Sequence, residues 1–116
     1  MHAVAGGEEA VEYLQGRGRY ADRYRFPLPN VILMDLKMPG MNGFTFLRWV
    51  RGQPHLSVIP VIAFTSSPAE ADVAEAYESG ANCYIVKPAS LNRLVQMLAT
   101  IYGFWSRCEY PALSAG

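Results

Sequence analysis

The chain has 116 residues, 51% of them hydrophobic, and a formal net charge of zero. That is one domain's worth of chain with a single core, and it offers neither nucleic acid nor an anionic membrane a charge to bind. No apolar run approaches the ~20 residues of a membrane span, and the opening Met1–Gly7 lacks the basic and apolar regions of a signal peptide.

In chain order, Gly7 to Leu14 reads as a short helix, with Ala10, Val11 and Leu14 at helical spacing and Gly16 as its stop. A polar loop rich in Arg and Tyr follows, from Arg17 to Pro29. Val31–Asp35 is continuously apolar up to its Asp, the pattern of a strand buried on both faces by helices. Pro39-Gly40-Met41-Asn42-Gly43 is a turn cluster. Phe44, Leu47, Trp49 and Val50 then predict a helix ending near Gly52 and Pro54. Val61–Thr65 is a second apolar strand. Ser67 as N-cap, Pro68 at the first helical position and Glu70 at the capping-box position predict a helix that stops at Gly80. Cys83–Lys87 is a third strand, closed by Pro88. Leu91, Leu94, Val95, Leu98, Ile101 and Tyr102 form the stripe of a last helix, running through Gly103 towards Trp105 before Pro111.

Strands and helices alternating at this spacing build βαβ units on a parallel sheet, a doubly wound α/β fold. Such sheets bind ligands at the carboxyl ends of their strands. Asp35, Thr65 and Lys87 each end a predicted strand, so a carboxylate, a hydroxyl and an ammonium meet at one edge. A carboxylate can attack phosphorus, and phosphoryl transfer needs mostly positioning and charge stabilisation of the oxygens. The set suits that chemistry better than acyl or hydride transfer. The ten basic residues include only two lysines, Lys37 and Lys87, both beside strand ends. His2 and His55 fall in terminal or loop positions and supply no second base. Cys83 and Cys108 have neither metal-ligand spacing nor a disulfide framework and read as reduced thiols of a cytoplasmic protein.

Asp35-Leu36-Lys37-Met38-Pro39-Gly40-Met41-Asn42-Gly43 resembles the phosphoacceptor segment of response-regulator receiver domains. Val61–Ser66 resembles their Thr/Ser strand, and Tyr84-Ile85-Val86-Lys87-Pro88 their aromatic-x-x-Lys-Pro strand. In the family this Lys–Pro bond is often cis. The Gly-Glu-Glu-Ala-Val-Glu-Tyr-Leu opening, the Arg-rich loop and Phe104-Trp105 look like the stand-alone receivers that serve phytochrome-type histidine kinases. The resemblance implies a flavodoxin-like fold over residues 1–106, a tail over 107–116, and a switch in two-component signalling. Asp35 would accept phosphate from a histidine kinase, with Thr65 and Lys87 on the phosphoryl oxygens. Tyr84 would swing towards the space Thr65 vacates, while Pro39, Gly43 and Pro88 shape the turns. Gly40 and Gly43 are expected to serve turn geometry. The resemblance also implies Mg²⁺, held by Asp35 and the backbone carbonyl of Lys37, and a homodimer through the last strand and last helix.

The sequence departs from the family at its start. Receivers open with an apolar strand ending in an acidic pair, then a helix; here Met1–Ala5 reads as the tail of the second strand. The first strand, which is the central one in the family's 2-1-3-4-5 order, and the first helix are missing. The acidic pair that anchors Mg²⁺ is missing with them, so metal binding is expected to be weakened or lost. A wrongly assigned start is the simplest account. Glu8 and Glu9 open a helix, where the dipole favours them, and read as solvated residues rather than as replacements for the pair. The absent pair keeps a second function open: a phosphate-independent interaction module. A flavin-binding flavodoxin is disfavoured because no Gly/Ser/Thr-rich phosphate loop follows a strand. A DNA-binding output is disfavoured because only a short tail follows the last helix.

Overall fold

The structure, a computed structural model, describes residues 2–38 and 40–109. Pro39, Tyr110, Pro111 and the rest of the expected tail from 110 lie outside the described residues. The elements run α1 (Gly7–Gln15), a 3₁₀ turn (Gly18–Tyr20), β1 (Ile32–Met34), α2 (Gly43–Gly52), β2 (Val61–Thr65), α3 (Glu70–Ser79), β3 (Cys83–Val86) and α4 (Leu91–Trp105).

The three strands form one parallel sheet in the order β1-β2-β3. β2 is the central strand, with all five residues buried. That is the expected outcome for a continuous apolar run covered on both faces. Phe46, Leu47 and Val50 of α2 pack against it, together with Leu56 and Ile59 of the connection. α2 in turn lies beside α1 and α3. Asn42 caps α2: its side-chain oxygen accepts from the Thr45 N–H at 3.0 Å. Ser90 caps α4 in the same way, accepting from the Arg93 N–H.

The Arg-rich loop is pinned rather than free. Arg23 donates to the carbonyls of Tyr13 and Leu14, each at 2.7 Å, and of Phe26 at 3.2 Å, so it closes the carboxyl end of α1. Tyr13, Tyr20 and Phe26 cluster beside it with ring centroids 4.9–6.0 Å apart, Phe26 edge-on to both tyrosines and the two tyrosines tilted to each other. At the amino ends of β2 and β3, Arg51 donates to the carbonyls of Gly80, Ser57 and Ile59 and to Asn82 Oδ1. Asn82 Oδ1 also accepts from the Val61 N–H at 2.9 Å.

Four expectations need correction. His2–Val4 form no strand, because no described strand runs beside them to complete a ladder; the His2 ring packs on Tyr13 and Phe26 instead. Ser67 does not cap α3. The helix begins two residues later, after Ala69, and the Ser67 hydroxyl donates to Asp72 Oδ2 at 2.6 Å. Lys87–Pro88 is trans, like every described peptide bond. Gly43 is the first residue of α2 rather than a turn residue with a special backbone angle. Its lack of a side chain serves close approach: a Cβ there would lie 2.7 Å from Leu36 Cα and 2.5 Å from Met34 Cε.

Candidate functional site

β1 ends at Met34, β2 at Thr65 and β3 at Val86, so Asp35, Thr65 and Lys87 sit at the same edge of the sheet. The structure brings them together. Lys87 Nζ donates to Asp35 Oδ2 at 2.9 Å, across 52 residues of chain. The other carboxylate oxygen, Oδ1, accepts from the Lys37 N–H at 3.1 Å. Both partners of the Lys87–Asp35 pair keep about a third of their side-chain surface exposed, 35% and 33%. Burial pulls the Asp35 carboxyl up, but the Lys87 ammonium, the Lys37 N–H and the Thr65 hydroxyl outweigh it and hold the group below the usual carboxylate range. Asp35 is therefore a carboxylate at neutral pH.

Thr65 is fully buried. Its hydroxyl faces Asp35 closely enough to help hold it ionised, yet no partner lies within proper hydrogen-bond geometry. It is an approach and not a made bond. A buried hydroxyl without a partner is unfavourable by the desolvation it suffers.

Tyr84 pairs with Ala63 across β2 and β3, while Thr65 pairs with Val86. Paired residues share a face, so Tyr84 and Thr65 lie on the same side of the sheet, on a diagonal. The Tyr84 hydroxyl donates to the Ser67 carbonyl at 2.8 Å, which ties the ring to the loop that follows Thr65. Gly43 and Pro88 lie at the feet of the same edge, after β1 and β3. The Lys37 side chain is exposed and takes no part beyond its N–H.

Mg²⁺ prefers six oxygens, usually one or two carboxylates with waters and substrate phosphate. Among the described residues, no three His, Cys, Asp or Glu side chains gather as a ligand set. The one carboxylate at the edge is already paired with Lys87. These residues do not by themselves make a magnesium site. Glu8 and Glu9 do not supply one. Glu9 binds the Ala5 N–H, Arg19 and Tyr20, and Glu8 accepts from the Met41 N–H. That last contact was not legible in the sequence, since its partners are 33 residues apart.

Comparison with known proteins gives this geometry a family. Residues 1–99 match the response regulator receiver domain. The chain is 38% identical over 99 residues to response regulator Rcp1 of Synechocystis, covering 85% of this chain and 65% of Rcp1. The structure resembles the phosphorylated cyanobacterial phytochrome response regulator RcpA, with a TM-score of 0.85 and 35% identity over 94% of this chain and 76% of that one. It also resembles RPA3017, a response regulator in red light signaling of R. palustris, with a TM-score of 0.85, 34% identity, and coverage of 94% and 77%. Rcp1 itself has been crystallised in a Mn²⁺-bound form; that structure matches with a TM-score of 0.81 and 36% identity over 94% and 77% of the two chains. The chain belongs to the response regulator receiver domain family, and its parallel sheet is that family's flavodoxin-like fold. It spans 65% of the length of Rcp1. Among the described residues no helix is long and apolar enough to cross a membrane.

Proposed function

We propose that this chain is a phosphoacceptor switch of two-component signalling, acting in the cytoplasm, and that Asp35 takes its phosphoryl group from a histidine kinase of the phytochrome type. The observation that carries the reading is the ionised Asp35 carboxylate, 2.9 Å from Lys87 Nζ, beside the buried and unpartnered hydroxyl of Thr65. A carboxylate oxygen of Asp35 forms the O–P bond as the P–N bond of the kinase's phosphohistidine breaks. The electron pair of that bond leaves on the imidazole nitrogen, which takes a proton from solvent. Lys87 Nζ passes from Asp35 Oδ2 to a phosphoryl oxygen, and the Thr65 hydroxyl donates to another. Tyr84 exchanges its hold on the Ser67 carbonyl for the space beside Thr65. The face formed by α3, β3 and α4 then differs in its contacts, and a partner reads the difference. The likeness to RcpA, Rcp1 and RPA3017 supports a phytochrome-type kinase. The half-exposed apolar face of β3 and α4 supports a homodimer there.

For the metal, this chain offers Asp35 and the carbonyl of Lys37. We propose that Mg²⁺ binds these residues weakly or not at all without further carboxylates. The second reading, a phosphate-independent interaction module, is favoured by the single carboxylate at the site. The two are separated by incubating the protein with acetyl phosphate and Mg²⁺ and mapping the adduct by mass spectrometry. A phosphoryl group on Asp35 that disappears in Asp35→Asn is the expected result. Labelling that survives Asp35→Asn overturns the assignment, and a folded chain that takes no label at all supports the module.

A further inference from the structure

Glu8 stands in the first turn of α1, where a solvated acid at a helix N-terminus is the simple expectation. Its carboxylate instead lies on the loop that follows Asp35. Oε1 accepts from the Met41 N–H at 2.8 Å. A Cβ on Gly40 would lie 2.5 Å from Oε2, so a side chain there would push the carboxylate aside, and the left-handed φ of +75° favours glycine in its own right. Beside it Gly7 is buried, and a Cβ on Gly7 would lie 2.7 Å from Met41 Cβ. Helix and loop therefore meet at Gly7 and Met41, with Glu8 across the join.

The loop itself is short and closed. The Gly43 N–H donates to the Leu36 carbonyl at 3.0 Å, which fixes its two ends. At its head the Lys37 N–H donates to Asp35 Oδ1. The Lys37 N–H on Asp35 and the Met41 N–H on Glu8 thus both lie between the two residues that this bond joins. A bond from an amide to a carboxylate is of the stronger, charge-assisted kind.

We propose that Glu8 is a positioning residue for the phosphoacceptor: through Met41 it holds the 36–42 loop so that the Lys37 N–H fixes the Asp35 carboxylate for attack. The proposal rests on Asp35 as acceptor and adds a residue on a different helix to its machinery. It gives Glu8 no contact with the phosphoryl group.

The test uses the ¹⁵N-labelled full chain as wild type, Glu8→Gln and Glu8→Ala. Glu8→Ala should shift the amide resonances of both Met41 and Lys37 and speed hydrogen exchange at Met41 by roughly three- to tenfold. It should slow acetyl-phosphate labelling of Asp35 by a similar factor, with the melting temperature almost unchanged because the side chain is exposed. Glu8→Gln keeps a side-chain oxygen for the Met41 N–H and should restore most of both readouts, which a loss of charge alone would not allow. Labelling of Glu8→Ala at the wild-type rate overturns the proposal. So does a shift at Met41 with none at Lys37, since the tie would then end before Asp35. If the wild type takes no label, Asp35 as acceptor falls by itself. The geometric core of the proposal is then judged on the Lys37 amide, which moves if Glu8 acts on Asp35 and stays if it does not.

Discussion

Every residue of β2, Val61–Thr65, is buried, whereas α4, Leu91–Trp105, has no buried residue at all. Both segments are strongly apolar. Leu91, Val95, Tyr102 and Phe104 are 58–72% exposed on α4, while Leu47 and Val50 of α2, no more apolar, are wholly buried against β2. The difference lies in partners: β2 has a strand on each side and α2 across its face, whereas no residue of α4 joins the core. Apolar patterning says which side of an element wants covering, and only the rest of the fold says whether it is covered.

The comparison predicts unequal responses to mutation. Leu47→Ala, on the covered side, should destabilise by about 2–5 kcal/mol through lost burial and the cavity left behind, read from the urea midpoint. Gly43→Ala should come next, at about 1–3 kcal/mol, because the new methyl overlaps Leu36 and Met34. A Gly43→Ala protein of full stability would mean that the β1–α2 join can spread, and that the covered region is less rigid than its burial implies.

Lys87→Met sits at the boundary between the two regions and should act more weakly, by less than about 1 kcal/mol, since the pair is a third exposed. Its sign is testable by pH. Asp35 has a depressed folded pKa, so its contribution is present above the unfolded value of about 3.9 and is lost as pH falls through the lower folded value. Without Lys87 the strongest lowering influence is gone and burial gains weight. The Asp35 pKa should rise, and the stability deficit of the variant should be full between pH 5 and 8 and shrink towards pH 3. Carbon-detected NMR titration of the carboxyl gives the pKa directly. Last and smallest, Val95→Ser on α4 should change monomer stability by no more than about 0.5 kcal/mol. If light scattering shows a phosphoryl-dependent dimer, the same substitution should weaken it. A stability loss comparable to that of Leu47→Ala would show that α4 is covered after all.

What the sequence disclosed follows the same division. α1, α2 and α4 start and stop within a residue or so of the periodicity and stop signals, and the β2 run is read residue for residue. Asp35, Thr65 and Lys87 were legible as a set because a parallel sheet brings strand ends together whatever the loops do. Ser67 misled, since a capping sequence competes with a side-chain bond to Asp72 that only the folded loop offers. The role of Gly43 was missed for a related reason: close approach of Leu36 leaves no trace in local sequence. Glu8 was read as solvated because its partner stands on another element.

Arg51 carries a consequence for motion. Its guanidinium ties Gly80, Ser57, Ile59 and Asn82 into one knot at the amino ends of β2 and β3, and Asn82 adds the first residue of β2. Central β2 is five residues long, about 16 Å at the usual rise per residue. The carboxyl end holds the charged site and the amino end is clamped, the arrangement of a short cantilever. A displacement at Thr65 is then expected to leave Val61 still and to pass sideways, into the loop whose Ser67 carbonyl accepts from Tyr84.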